Sequence, residues 1–179
     1  MKGMVFTNFL EMVEERFGFV IADTIVTESN LPSGGAYTSV GQYDYKEMFT
    51  LIGKLHHQTG IPVADLCKEF GKYLFVKLVE AYPNFVSRVN NVFDFLGSID
   101  NYIHIEVRKL YPDAELPHFE TRLITPDQLE MIYSSSRGLH YLAEGLIEGS
   151  LAHFKTTATI VTAPMADGRV QFVITRNDS

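Results

Sequence analysis

The sequence predicts an α+β fold with an N-terminal helical lobe and a C-terminal antiparallel sheet with packed helices. Over the first two thirds of the 179 residues, apolar side chains recur at steps of three and four, which is the period of one helix face. After Leu116 the pattern changes to β-branched and alternating segments around short turns, with one helical segment between them. We expect a single domain over residues 1–179, with about 1–60 in one helical lobe and about 61–179 in the second.

The first predicted helix covers residues 1–17, and Gly18 is a typical helix stop. Its apolar face consists of Phe6, Phe9, Leu10, Val13 and Phe17. Residues 19–28 predict a second short helix, and the glycines of 29–35 predict a loop. Further helices are expected over 44–59 and 63–81, with 84–96 leading into the next one.

Residues 99–112 are the segment around which the rest of the chain is organised. The segment predicts a helix with an apolar stripe formed by Leu96, Ile99, Ile103, Val107 and Leu110. His104 lies beside this stripe, and Pro112 ends the helix. A neutral imidazole can ligate a metal when its other nitrogen has a hydrogen-bond partner. A histidine beside an apolar face can equally be a packed core residue, and its position alone allows both interpretations.

The C-terminal third predicts an antiparallel sheet with a helix across it. Residues 116–118 are expected to be extended, because a residue before proline avoids the helical region. Turns are predicted at Pro126-Asp127 and Asp167-Gly168. The flanking strands are expected over 120–125, 129–135, 156–163 and 169–175. The helix between them, residues 139–154, should turn Leu142, Leu146 and either Ala143 or Ile147 inward.

The amino-acid composition favours a globular domain and argues against a nucleic-acid-binding or membrane-spanning protein. The chain has 46% hydrophobic and 21% charged residues, which is typical of a globular domain. Its net charge of -7 is spread without blocks and makes nucleic acid an unexpected partner. No run of about 18 apolar residues predicts a membrane span, and the N-terminus makes a poor signal peptide. With a single cysteine, Cys67, the chain is expected to be cytoplasmic.

Three polar residues alternate at the end of a predicted strand: Tyr133, Ser135 and Arg137. Alternate residues of a strand project from one face, so a phenol, a hydroxyl and a guanidinium would lie together. Such a face can bind a carboxylate, for which the arginine supplies a bidentate fork. A solvated strand face with an ordinary surface arginine fits the same spacing. The sequence carries no motif for hydrolytic catalysis at usable local spacing.

Taken together, these segments resemble the haem nitric oxide/oxygen binding (H-NOX) family, which is related to the sensor domain of soluble guanylate cyclase. The resemblance covers nearly all 179 residues. It is carried by Met1-Lys-Gly, by His104-Ile-Glu-Val-Arg-Lys-Leu-Tyr-Pro, by Leu116-Pro, by Tyr-x-Ser-x-Arg and by Glu144-Gly-Leu-Ile-Glu-Gly149. Tyr-x-Ser-x-Arg followed by that helix is a strong signature when a histidine lies upstream.

The resemblance implies roles for particular residues. His104 would ligate the iron of haem b, and Tyr133, Ser135 and Arg137 would hold the haem propionates. The apolar haem contacts implied are Val5, Phe9, Leu74, Pro117, Leu142 and Leu146. In the family, the proline at the position of Pro117 helps to distort the porphyrin.

Two departures from the family pattern refine the expectation. Some members bind structural zinc through cysteines in the C-terminal third, where this chain has none, so no zinc is expected. Oxygen-binding members carry a distal tyrosine after the clamp, and the matching position here is Leu142, with Tyr141 beside it. The resemblance therefore favours NO, and also CO, over oxygen.

The implied function is a haem-based NO sensor with five-coordinate ferrous iron and no enzymatic activity of its own. Weakening of the His104–iron bond by NO would free its helix, and a separate histidine kinase or cyclic-di-GMP enzyme would respond. Two other classes stay open: an O2- or CO-binding haem protein or haem redox enzyme, and a haem-free module that binds an acidic ligand at Tyr133 and Arg137. An absorption spectrum separates the haem-free module from the haem proteins.

Overall fold

The computed structural model describes residues 1–177, which form eight α-helices, one π-helical turn and a four-stranded antiparallel sheet. This confirms the predicted α+β class. The N-terminal helices are α1 (Gly3–Phe17), α2 (Phe19–Thr27), α3 (Tyr45–Thr59), α4 (Val63–Ala81), α5 (Asn84–Ser87) and α6 (Val92–Gly97). The predicted domain ran to Ser179, and its last two residues lie outside the described part. Within residues 1–177, no helix combines the length and apolar character needed to cross a bilayer.

The remaining elements carry the candidate functional residues. A π-helical turn (Ile99–Ile103) runs directly into α7 (His104–Leu110). The strands and last helix follow as β1 (His118–Thr125), β2 (Gln128–Ser134), α8 (His140–His153), β3 (Ala158–Pro164) and β4 (Val170–Arg176). The sequence predicted one continuous helix over 99–112, whereas the structure divides it and ends it at Leu110. Leu110, the last residue of the predicted apolar stripe, is 51% exposed.

The sheet has the order β1-β2-β4-β3, with every neighbouring pair antiparallel. Burial alternates along β2 and β4, as expected for strands that cover a core with one face. Leu129, Met131 and Tyr133 are the buried residues of β2. They join Phe172 and Ile174 of β4 beneath α8.

Two apolar clusters fill the interior, and α4 contributes to both. The first draws on α1 to α4 and includes Phe70 and Leu74, whereas the second begins with Phe75 and extends to Ile174 of the sheet. The lobe boundary that the sequence placed near residue 60 stays a prediction. The change of cluster within α4 shows that this helix is shared between the two halves of the core.

Helices α4 and α8 pack with their backbones close together, and glycines make this possible. A Cβ atom on Gly71 would lie 2.5 Å from the carbonyl oxygen of Leu142. A Cβ atom on Gly145 would overlap the carbonyl oxygen of Lys68 and lie 2.8 Å from its Cα atom. Both obstacles are backbone atoms, so a side chain at either position would force the helices apart. Ala143 and Ile147 are both buried, which settles the alternative that the sequence left open.

We expect Gly145→Ala to lower the free energy of unfolding by about 1–3 kcal/mol, because overpacking there displaces backbone. Gly53→Ala is the matched control, because a Cβ atom on this helical glycine would have no neighbouring atom within 4 Å. Alanine at Gly53 should raise the free energy of unfolding by up to about 1 kcal/mol through helix propensity. Chemical denaturation measures both, and equal effects of one sign would contradict the close α4–α8 contact.

Candidate functional site

A cavity of about 370 Å³ opens between the two halves of the molecule. It is bounded by the start of α1, by α4 and α8, by the segment from α6 through Phe119, and by the end of β2. Most of its walls are apolar, and its few polar groups gather near residues 133–137 and 111–115. Its size and its mixture of apolar wall and convergent polar groups are those of a small-molecule or cofactor site.

His104, the candidate metal ligand, lines this cavity. It is 9% exposed, and its Nδ1 lies 3.0 Å from Oδ1 of Asp100, one helical turn earlier. Burial lowers the pKa of His104, and the Asp100 carboxylate opposes part of that shift. With Nδ1 engaged by the carboxylate, Nε2 is the nitrogen left for a ligand. A neutral imidazole held in this way is the form that binds metals.

The π-helical turn sets the position of this pair. The carbonyl oxygen of Ser98 accepts hydrogen bonds from the backbone N–H groups of Tyr102 and Ile103, at 2.9 and 3.1 Å. The wider bond to Ile103 marks a local expansion of the helix, a feature often found at functional sites. Apolar periodicity does not reveal such an expansion. The spacing of four between Asp100 and His104 was, however, a readable signal that the two side chains meet.

Tyr133, Ser135 and Arg137 all line the cavity, but not as one strand face. Strand β2 ends at Ser134, and Ser135 accepts a hydrogen bond of 3.2 Å from the backbone N–H of Arg137. The predicted alternation is therefore wrong beyond Tyr133, because Ser135 folds the chain into a turn that continues at Gly138 (φ 64°). The turn nevertheless brings the three residues to one wall.

The phenol of Tyr133 is buried, and its oxygen accepts a hydrogen bond of 3.2 Å from the backbone N–H of Leu139. Burial raises the pKa of Tyr133, so the phenol keeps its proton at neutral pH and can donate it to a ligand. The same contact ties the end of β2 to the start of α8.

The guanidinium of Arg137 already binds a carboxylate in this structure. Its side chain is 12% exposed and forms an ion pair with Glu115, whose side chain is 75% exposed. The guanidinium also lies 5.5 Å from the ring centre of Tyr45. Glu115 occupies this position as a carboxylate, the chemical group that a haem propionate also presents. Sequence reasoning missed Glu115, since nothing in the local pattern relates it to Arg137.

Five of the six predicted apolar contacts line the cavity: Val5, Leu74, Pro117, Leu142 and Leu146. The sixth, Phe9, does not. It is fully buried and packs edge-on against Phe70, with ring centres 5.1 Å apart. Neither Tyr73 nor Tyr141 is among the lining residues of the described chain.

Two lining tyrosines were not anticipated from the sequence. The hydroxyls of Tyr82 and Tyr111 lie 2.9 Å apart, at the ends of α4 and α7. This hydrogen bond, together with burial, raises the pKa of Tyr82 to about 12. The two groups partner each other across the cavity wall and join the two helices.

A family model described as haem-NO-binding matches residues 2–162. The chain belongs to this family, the H-NOX proteins. A search of curated proteins finds no match.

Solved H-NOX structures superpose closely on the chain. The unliganded Fe(II) H-NOX protein from K. algicida is 40% identical, with a TM-score of 0.94, and the alignment covers 100% of this chain and 98% of that one. The H-NOX from Shewanella woodyi, in an Fe(II)CO state bound to IWP-051, is 41% identical with a TM-score of 0.85, covering 99% and 95%. An S. oneidensis H-NOX in the Fe(II)NO state is 27% identical with a TM-score of 0.92, covering 99% and 100%.

Proposed function

We propose that this H-NOX protein is a nitric oxide sensor that holds ferrous haem b in the cavity, with His104 as the axial ligand. The observation that carries the proposal is the pairing of a buried imidazole, whose Nδ1 is already engaged, with an arginine at the cavity mouth that binds a carboxylate. Related H-NOX structures with Fe(II), Fe(II)NO and Fe(II)CO support it.

The residues present fit haem. Apolar walls suit the porphyrin faces, and Tyr133, Ser135 and Arg137 offer a phenol, a hydroxyl and a guanidinium for propionates. Cys67, the single cysteine, is buried in α4 and does not line the cavity, which favours haem b over covalently attached haem. Haem iron supplies a coordination position for a diatomic gas, and the surrounding side chains set its polarity and water access.

Preference for NO over oxygen follows from the apolar lining. Leu74 and Leu142 line the cavity at positions that correspond to the family's distal side, and neither side chain can donate a hydrogen bond. Bound oxygen carries partial negative charge and gains from a donor, whereas NO and CO depend on one much less. A net hydrogen bond is worth about 1 kcal/mol and more in a dry pocket.

We further propose that the protein is a cytoplasmic regulator and not an enzyme. His104 is the first residue of α7, so a change at its imidazole acts directly on that helix. A histidine kinase or a cyclic-di-GMP enzyme that contacts the shifted helix would carry the signal onward. Peroxidase turnover well above that of free haem would favour the haem redox enzyme instead.

The first test is axial ligation. We expect the purified protein to show a haem absorption spectrum and His104→Gly to lose the protein-supplied ligand. Added imidazole should restore a ligated spectrum, because it can fill the space that the side chain leaves. A wild-type ferrous spectrum from unaided His104→Gly would disprove the assignment, and a protein that takes up no haem would favour the acidic-ligand module.

A second prediction concerns the propionate clamp. Arg137→Ala should release haem to an acceptor protein at least about ten-fold faster than wild type, since a charge-assisted contact is worth about 1.5–3 kcal/mol and each 1.4 kcal/mol is about ten-fold. Arg108→Ala is the control, because Arg108 is an exposed arginine of α7 and does not line the cavity. Equal rates for the two variants would count against the clamp.

A third prediction concerns gas selection. The ferrous protein in air should form no stable oxy complex, yet it should bind NO and CO. Leu142→Tyr places a phenol in the apolar lining and should raise oxygen affinity, and Leu142→Phe controls for ring size without the hydroxyl. Absorption spectra under each gas measure this. A long-lived oxy spectrum from the unmodified chain would overturn the NO-selective proposal.

A further inference from the structure

Asp100 is a carboxylate on which three donors converge. Its Oδ1 lies 3.0 Å from Nδ1 of His104 and accepts a hydrogen bond of 3.1 Å from the backbone N–H of Phe119. Its Oδ2 pairs with Nδ1 of His118. The Asp100 side chain is 26% exposed, so these contacts are only partly screened by solvent.

The contacts come from two different elements. His104 follows Asp100 in the helix, whereas His118 and Phe119 begin β1. The backbone N–H of Phe119 is a fixed donor, and it holds Oδ1 in place beside the imidazole. Asp100 is therefore oriented by β1 before any ligand reaches His104. His118 adds a second contact, but its side chain is 60% exposed and contributes less to that orientation.

The group that accepts the hydrogen bond from Nδ1–H affects how strongly Nε2 of the imidazole donates to a metal. A hydrogen bond from Nδ1–H to a carboxylate gives the ring more anionic character than a bond to water or to a neutral amide. The lone pair on Nε2 then becomes a stronger donor to a metal. Carboxylate–histidine–metal arrangements use this effect to fix the tautomer and raise ligand basicity.

We propose that Asp100 is the positioning residue that sets the strength of the His104–iron bond. This inference rests on the proposed function, in which His104 is the axial ligand. Asp100 does so in two ways: its charge raises the basicity of the imidazole, and its bond to Phe119 fixes the ring relative to β1. Asp100 thereby sets how readily a gas can release His104 and its helix.

The direct measurement is the iron–histidine stretching frequency of the ferrous protein by resonance Raman spectroscopy. We expect the frequency to fall from wild type to Asp100→Asn, which keeps an acceptor but loses the charge, and to fall further in Asp100→Ala. Loss of such a partner typically weakens metal binding on the order of 10–100-fold, so the NO complex of both variants should contain more histidine-free haem. Glu106→Gln, on the same helix and paired with Lys109, should leave the frequency unchanged.

Replacing the axial ligand distinguishes a direct effect of Asp100 on the imidazole from a purely structural role in the fold. In His104→Gly, imidazole supplies an N–H that Asp100 can accept, whereas 1-methylimidazole has none. The iron–ligand frequency should respond to Asp100→Asn with imidazole and not with 1-methylimidazole. A response of equal size with both ligands would show that Asp100 acts only through the fold, and would overturn the inference.

These experiments distinguish a failure of the proposed function from a failure of the inference about Asp100. If wild type and His104→Gly share one ferrous spectrum, the proposed function is wrong. If His104 ligates the iron but Asp100→Asn and Asp100→Ala keep the wild-type frequency, the proposed function stands and the role of Asp100 is wrong.

Discussion

The close contact between α4 and α8 is the constraint on which the rest of the structure depends. The two helices share the largest helix–helix interface of the described chain, and both apolar clusters meet at α4. Gly71 and Gly145 let the backbones approach, because a Cβ atom at either position would meet backbone atoms of the other helix. Leu142 and Leu146 then reach the cavity wall. A wider spacing would change the cavity and the core together.

This arrangement also explains why the cavity is apolar in one part and polar in another. Most of its leucine and valine lining comes from helices, whose backbone groups are already bonded within each helix and do not have to face the cavity. The turn after β2 is different, since its backbone bonds to side chains such as Ser135 and Tyr133. Arg137 lies in that turn, and its guanidinium pairs there with the exposed carboxylate of Glu115. A ligand with an apolar body and charged ends matches this division.

Much of the fold could be predicted from the sequence, because helix periodicity and strand alternation report burial directly. The structure confirms the α+β class, and the family model confirms the family that the sequence motifs resembled. The π-helical turn could not be predicted, since one extra residue in a helical turn leaves almost the same apolar pattern. Phe9 shows a second limit: its face of α1 was identified correctly, but periodicity does not tell a residue that contacts a cavity from one that contacts Phe70.

The candidate site shows the same limit in its polar residues. His104, Tyr133 and Arg137 stood out because their chemistry is unusual for their surroundings. Glu115 did not, since an exposed glutamate in a loop is ordinary until a structure places it on Arg137. Long-range ion pairs depend on how loops cross, and local sequence carries no record of that crossing.

In the proposed function, a change at the imidazole of His104 would reach the rest of the molecule through α7, which is held by side-chain contacts at both ends. At the start of the helix, Asp100 joins it to β1 through Phe119. Beyond its end, Asp113 forms an ion pair of 2.7 Å with Lys2, whose side chain is 12% exposed and which directly precedes α1. Under that proposal, a displacement of α7 would act on the sheet at one end and on the N-terminal lobe at the other. Because these contacts join α7 to different halves of the core, a shift of this helix would change how the halves are held together.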